Sequence, residues 1–151
     1  MRALTHLLFS IICILVYTKF FDVQNIFLFS GIVLFMTLFV DIDEPNSTIG
    51  KLFWIIAKPI KIVLGHRGLL HSFILPVILF LWFYFFRITE IGIAIFLGYT
   101  SHLVMDMLTP HGIYPLYPLS WRIRGPIRVG SVGEYFLTLL LAIAIIIRLL
   151  V

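Results

Sequence analysis

His102 and Asp106 stand four residues apart in the segment Ser101-His102-Leu103-Val104-Met105-Asp106. On a helix that spacing puts the imidazole and the carboxylate on one face, within reach of one ion or of two adjacent ions. An ionisable pair inside an apolar segment is expensive, and by default it marks a functional site rather than a packing hydrogen bond. Gly65-His66-Arg67-Gly68-Leu69-Leu70-His71-Ser72 adds two histidines that can converge from a loop and a first helical turn. Its glycines let the backbone approach a ligand closely. Arg67 cannot bind a metal but suits a phosphate oxygen or a carboxylate, and Ser72 can donate to either. The plainer reading of this block is a basic interfacial turn.

Asp41-Ile42-Asp43-Glu44-Pro45-Asn46-Ser47 is an acidic cluster. In an extended stretch Asp41 and Asp43 point the same way, and carboxylates so placed can bind or bridge divalent ions. Ser47 closes the cluster as a candidate substrate contact. Helix termination and a solvated loop account well for Pro45 and Asn46, less well for the paired acids. His111, in Thr109-Pro110-His111-Gly112, can add a ligand from a loop or simply be exposed in a turn. His6 and Glu134 fall where two further segments meet the same layer. Singly they are explained by an interfacial position and by the dipole at a helix start.

These residues need elements to gather them. Five apolar segments are legible, at about 4–21, 26–40, 69–86, 91–108 and 132–150. Several are short against the roughly 20 residues of a full membrane span. The first crosses only if Lys19 snorkels outward, and Pro76 is expected to kink the third. The start of the chain resembles a short signal peptide but lacks a small-residue cleavage site, so it reads as a retained span. Between the second and third spans, 49–64 reads as an amphipathic interfacial helix, with Lys51, Lys58 and Lys61 near one face and Pro59 bending it. If the chain threads back and forth, all five histidines and the carboxylates Asp41, Asp43, Asp106 and Glu134 gather at one end of the bundle.

The composition agrees. Of 151 residues, 62% are hydrophobic and 12% charged, and mean hydropathy is +1.13. A soluble domain carries roughly 45–50% apolar and about 25% charged residues, so the expected fold is one all-α integral membrane domain: a bundle of about five transmembrane helices plus the interfacial helix. The single cysteine, Cys13, excludes an internal disulfide and a CxxC zinc module. The net charge of +4 does not signal nucleic acid, because the basic residues flank apolar runs. Eight of them (Arg2, Lys51, Lys58, Lys61, Arg67, Arg122, Arg124, Arg128) lie on one side and three (Lys19, Arg87, Arg148) on the other. That bias places the N-terminus and the His/Asp layer in the cytoplasm and the C-terminus outside, in an inner or plasma membrane. No Gly-x-Ser-x-Gly elbow is present for a serine hydrolase.

Taken together, Thr5-His6, Asp41-x-Asp43-x-Pro45-x-Ser47, Gly65-His66-Arg67-Gly68-x-x-His71-Ser72, Gly98-Tyr99-x-Ser101-His102-x-x-x-Asp106-x-x-Thr109-Pro110-x-Gly112 and Leu116-x-Pro118 resemble the YdjM-like family, read as membrane-bound, metal-dependent hydrolases. That family is in turn distantly similar to the zinc-dependent phospholipase C and single-strand nuclease superfamily, whose His-x-x-x-Asp element His102–Asp106 resembles. The superfamily's His-x-x-x-Glu element has no match at Glu134, so the resemblance implies one or two ions rather than three.

The expected activity is a metal-dependent hydrolase at the cytoplasmic leaflet. Its metal ligands are drawn from His6, Asp41, Asp43, His66, His71, His102, Asp106, His111 and Glu134. Zinc is favoured by the imidazole share, with manganese or magnesium as alternatives. Asp43, Arg67 and Ser72 are the catalytic candidates, and Arg67, Arg122, Arg124 and Ser47 the substrate contacts. The expected substrate is a phosphoester, a phospholipid first, because the layer lies at headgroup depth. Two rivals stay open: a metal-ion or proton transporter, and a non-catalytic membrane scaffold in which any metal only clamps helices.

Overall fold

A computed structural model describes residues 1–44, 47–52 and 68–150. Six helices carry the described chain: α1 (Ala3–Phe20), α2 (Ile26–Phe39), α3 (Thr48–Leu52), α4 (Ile74–Phe85), α5 (Thr89–Met107) and α6 (Val132–Leu150). Local chemistry sets several of their ends. The Asn25 side chain accepts the Leu28 N–H at 3.0 Å and starts α2. The Ser47 hydroxyl accepts the Gly50 N–H at 2.8 Å and starts α3. Helices α1, α2 with its extension to Asp43, and α6 are long and apolar enough to cross a membrane. Helix α5 is as long as α6 but more polar, because it carries Tyr99, Thr100, Ser101, His102 and Asp106. It is the central helix, packed on α1, α2 and α4, while α6 packs on α1.

The five long helices lie close to the apolar segments read from the sequence, with three differences. The third does not begin at residue 69. A 3₁₀ turn over Leu69–His71 precedes α4, so the straight apolar helix is 12 residues long. Pro76 does not kink it, because it sits in the first turn, where its missing N–H has no helical partner to lose. And Asp41 and Asp43 are not on an extended strand: Val40–Asp43 is a 3₁₀ turn continuing α2. The expected interfacial helix is described only over Thr48–Leu52; the rest of it lies outside the described residues.

Along the bundle the buried residues form three layers. Ile14, Phe29, Val33 and Ala94 make an apolar layer at the end remote from the histidines. Next, one helical turn short of the histidine layer, Ser10 of α1, Thr37 of α2 and Ser101 of α5 meet. Ser10 Oγ lies 2.7 Å from both Thr37 Oγ1 and Ser101 Oγ. In hydrocarbon, where apolar surface gives helices no reason to prefer each other over lipid, such small polar contacts hold helices together. The helices can approach this closely because of Gly98, where a Cβ would lie 3.0 Å from Val33 Cα and closer still to its carbonyl oxygen. The third layer holds His6, His71 and His102. Replacing Ser10 by Ala removes both contacts across the bundle. The expected result is a lower unfolding midpoint in detergent, worth about 1 kcal/mol given roughly 0.6 kcal/mol per interhelical hydrogen bond in membranes, readable by circular dichroism on heating.

After α5, the loop folds back on that helix's end. Ile113 and Ile123 pair as an isolated antiparallel bridge, and the Gly125 and Ile127 N–H groups donate to Thr109 O and Leu108 O at 3.0 and 2.9 Å. Gly112 sits at φ 57°, a left-handed conformation with no room for a side chain against Ile123.

Candidate metal centre

The 3₁₀ turn after α2, the 3₁₀ turn before α4 and the last turns of α5 meet at the histidine layer. Asp41, His71, His102 and Asp106 each turn one donor atom to a common point, and these atoms lie within 4.8 Å of one another. Asp41 Oδ1 is 3.5 Å from both His71 Nε2 and His102 Nε2. Asp106 Oδ2 is 3.7 Å from His71 Nε2 and 3.8 Å from His102 Nε2. Four donors about 2.0–2.2 Å from one tetrahedral ion are spaced about 3.3–3.6 Å apart. Of the four imidazole–carboxylate spacings, the two of 3.5 Å lie within that range and those of 3.7 and 3.8 Å just beyond it, and all are too long for good hydrogen bonds.

Burial sharpens the point. His71, His102 and Asp106 are buried, and only Asp41, with a side chain 29% exposed, reaches the surface. Buried polar atoms are nearly always hydrogen-bonded, yet both ring nitrogens of His71 and Nε2 of His102 have no such partner. An imidazole with a buried, unbonded nitrogen aimed at carboxylates is what a metal ligand looks like. His102 is also oriented for it. Its Nδ1 lies 2.7 Å from Thr37 O; a carbonyl can only accept, so Nδ1 carries the proton and Nε2 presents its lone pair to the cluster.

Around these four, His6 stacks on His102 with ring centroids 4.0 Å apart and planes 8° from parallel, and its Nε2 lies 3.6 Å from Asp106 Oδ1. The N-terminal ammonium is 3.2 Å from the same oxygen. Asp43 Oδ2 lies on the side of His71 away from the cluster, 3.9 Å from Nδ1, beyond hydrogen-bond distance.

The remaining candidates are elsewhere. Glu134 is not in the cluster: its Oε1 accepts the Arg2 N–H at 2.6 Å and its Oε2 the Gly130 N–H at 2.6 Å, so it ties the start of α1 to the start of α6. His111 is exposed, and its carbonyl accepts two N–H groups of Arg122, whose guanidinium also lies over the Tyr114 ring. Arg124 opens on a surface hollow. The Ser72 hydroxyl donates to Leu69 O at 2.9 Å, and that of Ser47, besides capping α3, donates to Asp41 O at 2.8 Å and steadies the acidic turn. His66 and Arg67 lie outside the described residues.

Sequence reasoning passed over the supports. Tyr99, which from sequence reads as a packing or belt aromatic, is 1% exposed and donates its hydroxyl to Leu70 O at 2.7 Å, anchoring the turn that carries His71. The available signal was its position three residues before His102, on the same face of α5. Tyr99→Phe keeps the ring and removes this anchor. Partners that orient ligating histidines are worth roughly 10–100-fold in metal affinity; the variant is expected to weaken metal retention within that range while remaining folded, as read by chelator competition beside a melting curve.

The family model for the YdjM inner membrane protein matches residues 1–150. The chain belongs to this family. It is 37% identical over 147 residues to the inner membrane protein YdjM of Escherichia coli (strain K12), an alignment covering 89% of this chain and 74% of the relative. The YdjM protein of Shigella flexneri matches to the same extent. The uncharacterized protein YvsG of Bacillus subtilis (strain 168) is 34% identical over 100 residues, covering 64% of this chain and 62% of its own. No solved structure matches. Family and apolar helices together make the chain a membrane protein with a buried His/Asp group able to hold a metal ion.

Proposed function

We propose that this member of the YdjM family is a metal-dependent hydrolase that acts on a phosphoester, a phospholipid first, at the cytoplasmic leaflet. The observation that carries the reading is the cluster of two imidazoles and two carboxylates in which both imidazole Nε2 atoms are turned to one point without hydrogen-bond partners. Zinc is the first choice for a site half imidazole, with manganese or magnesium next. The His102-x-x-x-Asp106 spacing, which resembles an element of the zinc-dependent phospholipases C, favours the same reaction class.

When bound, a divalent ion supplies Lewis acidity, easing deprotonation of water and polarising a phosphoryl oxygen. The residues of this chain do the rest. Asp41, His71, His102 and Asp106 hold the ion. The Thr37 carbonyl holds the ring plane of His102, and Asp43 stands on the far side of His71, 3.9 Å from its Nδ1. Asp41, the one member reached from the surface, accepts the proton of the attacking water on the oxygen turned away from the imidazoles. Arg67 holds the phosphate. The excess of basic residues on the histidine side puts the site and N-terminus in the cytoplasm and the C-terminus outside.

The test is elemental analysis of the detergent-purified protein, followed by incubation with phospholipids and measurement of the headgroup released. One or two equivalents of metal and turnover lost on chelation are expected. No stoichiometric metal after reloading would sink the proposal. Metal without turnover would leave a structural clamp, and metal flux in proteoliposomes would make the protein a transporter.

A further inference from the structure

Outside the metal cluster, the loop between α5 and α6 carries two adjoining surface hollows. One, of about 330 Å³, is lined by Pro110, His111, Arg128 and Val129. The other, of about 590 Å³, shares Pro110 and Arg128 and adds Arg124 with Gly125 and Pro126. Among the described residues neither Arg124 nor Arg128 has an ion-pair partner. The nearest acids along the chain are taken. Asp106 is buried and faces the histidines, and both oxygens of Glu134 accept backbone N–H groups. Two guanidiniums over a concave surface with no acid in its lining leave a site of positive potential whose natural ligand is a phosphate.

The loop that carries them is held rigidly. Its backbone donates back to Leu108 and Thr109, the Ile113–Ile123 pair closes its middle, and Arg122 is bound to the His111 carbonyl. Its place is the second clue. It starts at the end of α5 and finishes at the start of α6, so it lies where the bundle leaves the bilayer. Leu119, Trp121, Val129 and Val132 on it and at its edge are exposed. Exposed Trp and aliphatic side chains beside Arg are the composition of a surface that rests in the headgroup region. Arg2, whose guanidinium lies 4.4 Å over the Tyr135 ring, adds a third cation at this margin.

We propose that the two adjoining hollows that share Arg128, one also lined by Arg124 and the other by His111, form a binding site for the phosphate of an anionic phospholipid headgroup, separate from the four-donor cluster. The two arginines grip the phosphate oxygens, and Trp121 and Leu119 meet the upper acyl region. The site seats the protein at the membrane face and concentrates anionic lipid beside the bundle, whether or not the cluster holds an ion.

Native mass spectrometry of the whole, detergent-purified chain titrated with dioleoyl phosphatidylglycerol or phosphatidylcholine tests this. The expected result is preferential binding of phosphatidylglycerol that weakens with salt. In Arg124→Gln/Arg128→Gln it falls roughly 10- to 30-fold, the loss expected for two cations at an anionic surface, with metal content unchanged. His102→Ala/Asp106→Ala is expected to keep the lipid preference, so failure of the metal reading leaves this one standing. Equal binding of the two lipids, or an unaltered preference in the double arginine variant, overturns the proposal. So does loss of the preference in the His102/Asp106 variant, which would put the headgroup at the cluster instead. Displacement of the lipid by millimolar inorganic phosphate would identify a free-phosphate site and also overturn it.

Discussion

Treatment with EDTA is expected to lower the melting temperature of the wild-type protein and to leave that of His102→Ala unchanged. A ligand that binds only the folded state stabilises it by about 4 kcal/mol when present at a thousand times its dissociation constant. Removing a bound ion would remove that contribution, and the carboxylates of Asp41 and buried Asp106 would then face one another across the cluster without it. His102 is the residue on which this depends most. Its Nε2 is 3.5 Å from Asp41 Oδ1 and 3.8 Å from Asp106 Oδ2, so it links the acidic turn after α2 to the acid of α5. Its other nitrogen is fixed by the Thr37 carbonyl, which leaves one rotamer and one tautomer. Without the imidazole, three donors remain and the bridge between helices is gone. The affinity loss is expected to exceed the roughly 10–100-fold attributed to groups that merely orient a ligand. Elemental analysis after gel filtration, beside melting curves with and without chelator, reads both effects. A His102→Ala protein that kept its full metal complement would show that the four-donor geometry holds no ion.

Gly98→Leu is expected to prevent folding or to leave a bundle without the metal centre. At Gly98 the backbones of α2 and α5 touch, with room for hydrogen only. Any Cβ must push the helices apart, and overpacking alone costs on the order of 1–3 kcal/mol, more where the obstacle is backbone that no rotamer change can move. The damage spreads because the same contact positions two other features. Thr37 Oγ1 donates to Gly98 O at 3.1 Å as part of the hydroxyl layer, and the Thr37 carbonyl orients His102 one turn further on. Forcing the two helices apart undoes both and moves Asp41 away from His102. Yield in detergent, unfolding midpoint and metal content should all fall together. Gly31, on α2 with nothing within 4 Å of where a methyl would sit, is the control: Gly31→Ala should leave all three unchanged.

The sequence by itself determined the membrane class, the apolar helices and the layer in which the chemistry gathers. Each is a one-dimensional property. Long apolar runs must be helical in lipid because every backbone group needs a partner within its own segment, and alternating spans bring alternate ends together. The His102/Asp106 pair was legible for the same reason, since i and i+4 share a helical face whatever surrounds them. The tertiary structure decided which members of that layer meet. Asp41 and Asp43 read as parallel neighbours on a strand, but the 3₁₀ turn sends Asp41 to the donor cluster and Asp43 behind His71. Glu134 belongs to the layer by position and is engaged by two backbone N–H groups donated by residues far apart in the chain, Arg2 and Gly130. The roles of Tyr99, Thr37 and Gly98 depend on a hydroxyl, a carbonyl and an absent side chain meeting residues that are distant in sequence. A pattern along one chain records what each residue can offer, and only the crossing of helices decides what it is offered to.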